Sequence, residues 1–215
     1  MGFNYDDPDG WTPPANRQAN YGDFLRWMGQ YVAHGDMGVL LADTRSPYRI
    51  IKVVNCASLP THCRQAEFFE KNWKENIEGL VKIYSFTYFT ATKPMMKTLA
   101  DKISQGYPRN AFPILQILDM EEGNEMSMWL MEQADYVGLT HPDLSREEMI
   151  DRVAYAAYNI GMRTGSFLTD LYQRNYGFMK DGSAIIFDFC HEFVGQDVQD
   201  LAGYKQNVIM DSHVE

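Results

Sequence analysis

The sequence predicts an α+β fold in which antiparallel strands come first, helices are interleaved with them, and one long capped helix leads into short strands and turns. Three observations support it. Between Tyr31 and Val54, three apolar runs rich in strand-forming residues are separated by turn residues. Ser145-Arg-Glu-Glu148 is a capping-box pattern that opens a helical hydrophobic period. From Thr169 to Phe189, short apolar runs alternate with loops, among them Lys180-Asp-Gly-Ser183. With 215 residues, 45% of them hydrophobic, the chain can bury the core of one large domain or of two lobes sharing a cleft.

Taken in order, residues 1–20 are rich in Asp, Asn, Pro and Gly and lack a hydrophobic period. They read as an N-terminal arm that Tyr5, Trp11 and Tyr21 can pin to the body. Phe24 to Tyr31 reads as a short helix. Tyr31–Ala33, Val39–Ala42 and Tyr48–Val54 then form an antiparallel meander, with Gly35 and Gly38 in its first connection and Thr44 to Pro47 in its second. Thr61 to Asn76 is helical by period: Ala66, Phe69, Trp73 and Ile77 share a face, while Glu67, Lys71 and Lys74 lie away from its centre. Leu80 to Phe89 is apolar and aromatic, and fits a strand or a helix equally. Met95 to Ser104, after Pro94, reads as a helix. Phe112 to Met120 and Glu125 to Gln133 read as strands joined by a tight turn, Glu121-Glu-Gly-Asn124. The helix opened by Ser145 turns Ile150, Val153, Ala157 and Ile160 inward and is expected to end near Phe167, delivering the chain to Asp170.

The charge balance, 19 basic against 29 acidic residues for a net −10, argues against a nucleic-acid footprint and an anionic membrane surface. Cys56, Cys63 and Cys190 are odd in number and show no Cys-x-x-Cys spacing, which suits a reducing compartment and neither a disulfide framework nor a zinc site. The opening residues carry no basic and apolar signal region, and no apolar run approaches a membrane span. The expectation is a soluble, cytoplasmic protein. The five histidines form no metal-ligand pair at helical spacing.

The chemistry concentrates between Thr169 and Phe189. Asp170 is followed five positions later by Asn175, and after the Lys180–Ser183 turn an apolar run ends in Asp188-Phe189. Phosphoryl transfer needs such a set: one carboxylate to orient the attacking hydroxyl, and an amide and a second carboxylate to hold the metal that neutralises the phosphates. Asp-x-x-x-x-Asn followed by Asp-Phe resembles the catalytic and metal-binding segments of protein kinases. Further back, Ile50-Ile51-Lys52-Val53 resembles the kinase strand whose lysine contacts the α- and β-phosphates of ATP. The resemblance runs from about Tyr31 to Phe189 and implies a two-lobed protein-kinase-like fold with a truncated C-lobe. It divides the chain into the arm at 1–20, an N-lobe at 21–134 with an antiparallel sheet and inserted helices, and a reduced helical C-lobe at 135–215 with the catalytic hairpin.

The resemblance also implies roles. Asp170 would accept the proton of the acceptor hydroxyl, and Asn175 and Asp188 would coordinate Mg²⁺. Lys52 would hold ATP and pair with a helix glutamate, for which Glu70 lies nearer the apolar face than Glu67. Gly35 and Gly38 would form a reduced glycine-rich loop over the phosphates; two glycines are equally what an ordinary β-turn requires. Met131 would guard the back of the adenine pocket, and the backbone of Glu132, Gln133 and Ala134 would bond the base. There are departures. Leu168 and Thr169 stand where most protein kinases place His and Arg, Cys190 replaces a Gly, and only the 25 residues from His191 to Glu215 follow. The overall pattern is most similar to the small early-gene serine/threonine protein kinases of short-tailed lytic phages, and so implies phosphorylation of host proteins in the host cytoplasm. The departures leave a second expectation open, a pseudokinase-like protein that binds and sequesters a host protein. A small-molecule phosphotransferase resembling aminoglycoside kinases is a third.

Overall fold

The computed structural model describes residues 21–35, 38–55, 60–106, 121–195 and 199–212, and they form an α+β fold. The N-terminal arm and the expected strand at Phe112–Met120 lie outside the described residues. The chain divides into two compact units: residues 1–73 with 83–133, and residues 74–82 with 134–215. The sequence places the boundary one residue later, at Ala134, and leaves 74–82 in the first part.

The first unit is built on five antiparallel strands in the order β1-β2-β3-β5-β4. These are β1 (Met28–Gly35), β2 (Gly38–Asp43), β3 (Ser46–Asn55), β4 (Ile83–Thr90) and β5 (Glu125–Glu132). The expected meander is the β1–β3 half of this sheet. Leu80–Phe89, ambiguous by period, forms a strand from Ile83 onward because its rings and β-branched residues pair with β5. Helix α1 (Tyr21–Trp27) ends before Tyr31, which belongs to β1. Helix α2 (Pro60–Asn72) stops four residues short of Asn76, and α3 (Lys93–Gly106) follows β4.

Central strand β3 is buried without interruption from Arg49 to Asn55, which marks a strand covered on both faces. Side chains alternate across a strand, so Ile51 and Val53 face one way and Lys52 the other. On the first face, Ile51 and Val53 join Val39, Leu41, Met126, Met128 and Leu130 of the sheet, Phe24 of α1, and Leu99 and Ile103 of α3 in one buried cluster. Each such side chain contributes roughly 1.5–3 kcal/mol by burial. On the second face, Lys52, Trp129 and Phe86 lie side by side across β3, β5 and β4. Trp129 is fully buried, with the ring of Phe86 6.2 Å away and nearly parallel, and Phe69 of α2 at 5.2 Å.

The second unit is organised by α4 (Arg146–Thr164). Its N-cap is the expected capping box: Ser145 Oγ accepts from the Glu148 amide, and the Ser145 amide donates to the Glu148 carboxylate at 2.8 Å. Ile150, Val153, Ala157 and Ile160 are buried, as the period predicts. The helix ends three residues before Phe167, because Gly165 takes a left-handed conformation (φ 67°) and closes the last turn onto Gly161 O. Two small sheets follow. β7 (Ser166–Thr169) pairs with β10 (Cys190–Phe193), and β6 (Tyr136–Val137), β8 (Tyr176–Phe178) and β9 (Ala184–Ile186) pair in the order β6-β8-β9. Helix α5 (Leu201–Asp211) closes the described chain, capped by Asp200, whose carboxylate accepts from the Gly203 amide. No helix among the described residues is long and apolar enough to cross a membrane.

Candidate functional site

In the second unit, β7 ends at Thr169 and hands the chain to Asp170, the only non-glycine with positive φ (66°) among the described residues. A left-handed carboxylate residue carries backbone strain of order 1–3 kcal/mol, so the surrounding loop must hold it there. The holding groups are specific. The amide of Leu168, two residues before the strained residue, donates to Tyr204 Oη at 3.1 Å, and that of Leu171, just after it, donates to Asp211 Oδ2 at 3.0 Å. Gln173 Nε2 donates to the Ser212 carbonyl at 2.9 Å. A 3-10 turn over Gln173–Asn175 then brings Asn175 Nδ2 to the carbonyl of Asp170 at 2.7 Å.

Burial raises the phenols around this loop. Tyr204 is held above the ordinary tyrosine range, and Tyr176 is pushed up to about 12, chiefly by burial, with Arg146 opposing and Asp211 adding to the rise. Both therefore act as neutral groups at physiological pH.

Asp188 arrives from the β8–β9 hairpin. The Lys180–Ser183 turn closes with the Met179 amide on Ser183 O and the Gly182 amide on Met179 O. Within the turn Asp181 accepts from the Ser183 hydroxyl and amide, which hold its carboxyl below the usual range. Past β9, the amides of Phe187 and Asp188 both donate to the carbonyl of Asn175 at 3.1 Å. Asp170, Asn175 and Asp188 thus form one hydrogen-bonded chain, and Thr169 and Cys190, which flank it, are paired across β7 and β10. Because Asn175 Nδ2 donates to Asp170 O, the lone pairs of this side chain are those of Oδ1, which can accept a hydrogen bond or ligate a cation.

An amide oxygen and a carboxylate suit a hard cation such as Mg²⁺, which completes its shell with water and substrate phosphate. No group of three His, Cys, Asp or Glu that could hold a metal alone occurs among the described residues, and Mg²⁺ in a phosphate site does not need one.

In the first unit, Lys52 is 4% exposed. Its Nζ donates to Gln65 Oε1 at 3.1 Å and lies 5.5 Å from the Trp129 ring. Neither expected glutamate fills that place: Glu67 and Glu70 are exposed. The reason lies in helix phase. Because α2 ends at Asn72, Trp73 and Ile77 do not set its inner face; Gln65, Ala66, Phe68, Phe69 and Asn72 do. Gln65, four residues before Phe69, is legible only once that end is known.

The other expected residues separate into structural and open roles. Gly35 and Gly38 are register partners at the end of the β1–β2 hairpin, and residues 36 and 37 lie outside the described set. A Cβ at Gly38 would stand 2.5 Å from Val53 O, so the close pairing of β2 with β3 itself requires glycine there. Met131 is buried on β5, Glu132 is half-buried beside Arg49, and Gln133 is exposed. The Gln133 amide donates to Tyr48 O at 2.9 Å. This corrects one expectation: the Gln133 amide is committed to the sheet.

Asp211, Tyr204, Gln173 and Ser212 are the residues that sequence reasoning misses; they act through single backbone contacts, which leave no periodic signal. No protein-family model matches the chain, and no curated protein matches it significantly.

Proposed function

We propose that the chain is an ATP- and Mg²⁺-dependent phosphotransferase of protein-kinase-like architecture that phosphorylates serine or threonine hydroxyls of a host protein. The observation that carries this reading is the hydrogen-bonded chain Asp170–Asn175–Asp188, anchored on a strained Asp170. The half-buried Asp170 carboxylate would orient the acceptor hydroxyl and take its proton. Asn175 Oδ1 and Asp188 would hold Mg²⁺, whose charge offsets that of the phosphates. Lys52 would hold the α- and β-phosphates. The family pattern puts this lysine on the third strand with a partner on the following helix, and Lys52 on β3 with Gln65 on α2 is in keeping with that. Lys52 belongs to the first unit and Asp188 to the second.

Gln65 favours a second reading. The active kinase pattern has a carboxylate there, and an amide in its place suits a pseudokinase-like protein that binds a host target.

Incubation of the purified chain with labelled ATP, with and without Mg²⁺, separates the two. Asp170→Ala is expected to lower phosphate transfer by about 10² or more while keeping the ATP-induced thermal shift. Undiminished transfer in that variant rejects the assigned mechanism. A wild type that transfers nothing, and whose cellular effect survives Asp170→Ala, supports the binding protein.

A further inference from the structure

We infer that Tyr204 is a positioning residue for the transfer step: its hydroxyl fixes the end of β7, and through it the place of the Asp170 carboxylate. The inference rests on the phosphotransfer reading above. β7 spans only Ser166–Thr169 and has β10 as its single partner strand among the described residues. Amides along such a strand alternate between the partner and the other edge, and a buried amide left without an acceptor is costly. The Leu168 amide finds its acceptor in a side chain, Tyr204 Oη at 3.1 Å. Both residues are fully buried, so water does not compete for that bond. Two residues further on, Asp170 stands at φ 66°.

The ring and the hydroxyl of Tyr204 have separate tasks. The ring packs 5.8 Å from that of Phe167, and burial keeps the hydroxyl neutral. The helix that carries it is held to α4 by the ion pair of Lys205 with Asp151 and by Arg146 Nη2, which donates to Ser212 Oγ at 3.2 Å. Asp211, about two turns further along α5, accepts from the Leu171 amide. One fixed helix thus grips the chain two residues before Asp170 and one residue after it. Loss of the first grip lets the strand end shift, and a misplacement of about 1 Å is enough to cost about 10² in rate. Fully buried, Tyr204 acts through Leu168 and takes no part in the proton transfer itself.

The test uses the full chain with Mg²⁺, labelled ATP and a serine-containing peptide, at a temperature where every variant is folded. Tyr204→Phe keeps the ring and removes the acceptor. Its kcat is expected to fall about tenfold with KM for ATP within about twofold of the wild type, the mark of an interaction used in the transition state and not in ground-state binding. Hydrogen exchange at the Leu168 amide should speed up by about tenfold in the same variant. Val153→Ala, a truncation of a fully buried side chain in α4 that leaves this bond alone, is the control. It should lower the melting temperature and keep kcat. An unchanged kcat in Tyr204→Phe, an equal fall in Val153→Ala, or exchange at Leu168 as slow as in the wild type each overturns the inference and leaves the kinase reading standing. No transfer above an Asp170→Ala blank overturns both.

Discussion

Trp129 in the first unit and Asp170 in the second are both held in one place, by different physics. Trp129 sits mid-strand on β5, between β3 and β4, with Phe69 and Phe86 against its ring. Many weak, non-directional contacts fix it, and no single one is indispensable. Asp170 follows a strand of four residues and holds a conformation that its own backbone disfavours. A few directional bonds fix the loop: Tyr204 on Leu168, Asp211 on Leu171, Asn175 on Asp170. A sheet held by burial tolerates many sequences; a loop held by named donors and acceptors tolerates few. The comparison predicts that the two units fail differently when cut.

The largest effect belongs to the sheet. Trp129→Ala removes a fully buried ring between two others and leaves a cavity beside Lys52. Such truncations cost about 3–5 kcal/mol. In chemical denaturation the first unit should lose that amount, read from strand amides of β3 and β5, while amides around Asp170 keep their protection. A loss below about 1 kcal/mol would mean that the second face of the sheet is not a packed core.

Asp211→Ala cuts the other kind of support. It leaves the amide of Leu171, a fully buried residue, without its carboxylate acceptor. An orphaned buried donor costs about 1–3 kcal/mol, and here the cost should be local. Hydrogen exchange at Leu171 should speed up by about tenfold or more, with β3 and β5 unchanged. Equal acceleration in both units would show that the loop is held by burial after all and would erase the contrast.

The same contrast decides what is legible in the sequence. The β1–β3 meander and α4 can be read because period and capping write themselves into residue types: alternation along strands, and Ser145 with Glu148 at a helix start. Asp170, Asn175 and Asp188 are picked out by their spacing alone, and hydrogen bonds do link Asn175 to Asp170 and to Asp188. Glu70 is the counterexample. Its choice takes the inner face from Phe69 and Trp73, but α2 ends at Asn72, before Trp73, and Gln65 faces Lys52 instead. Asp211 and Tyr204 lie more than 30 positions from the amides they accept, beyond any local pattern.

The smallest effect sharpens the comparison from within the second unit, where even the long helix begins with a directional device. Glu148 accepts from the Ser145 hydroxyl and amide, and these bonds, the hydroxyl first, hold its carboxyl below the ordinary value of 4.5. Arg152 lowers it further. A carboxyl depressed in the folded state binds fewer protons there than in the unfolded chain, so its contribution rises with pH. It is fully present above the unfolded value and is lost as pH falls through the lowered folded value. Glu148→Gln keeps a capping side chain but cannot titrate. The wild type should therefore be the more stable of the two near neutral pH, and the gap should close on acidification below about pH 4.5. Parallel denaturation profiles for the two proteins across that range would mean that the ionised form of Glu148 adds nothing to the cap.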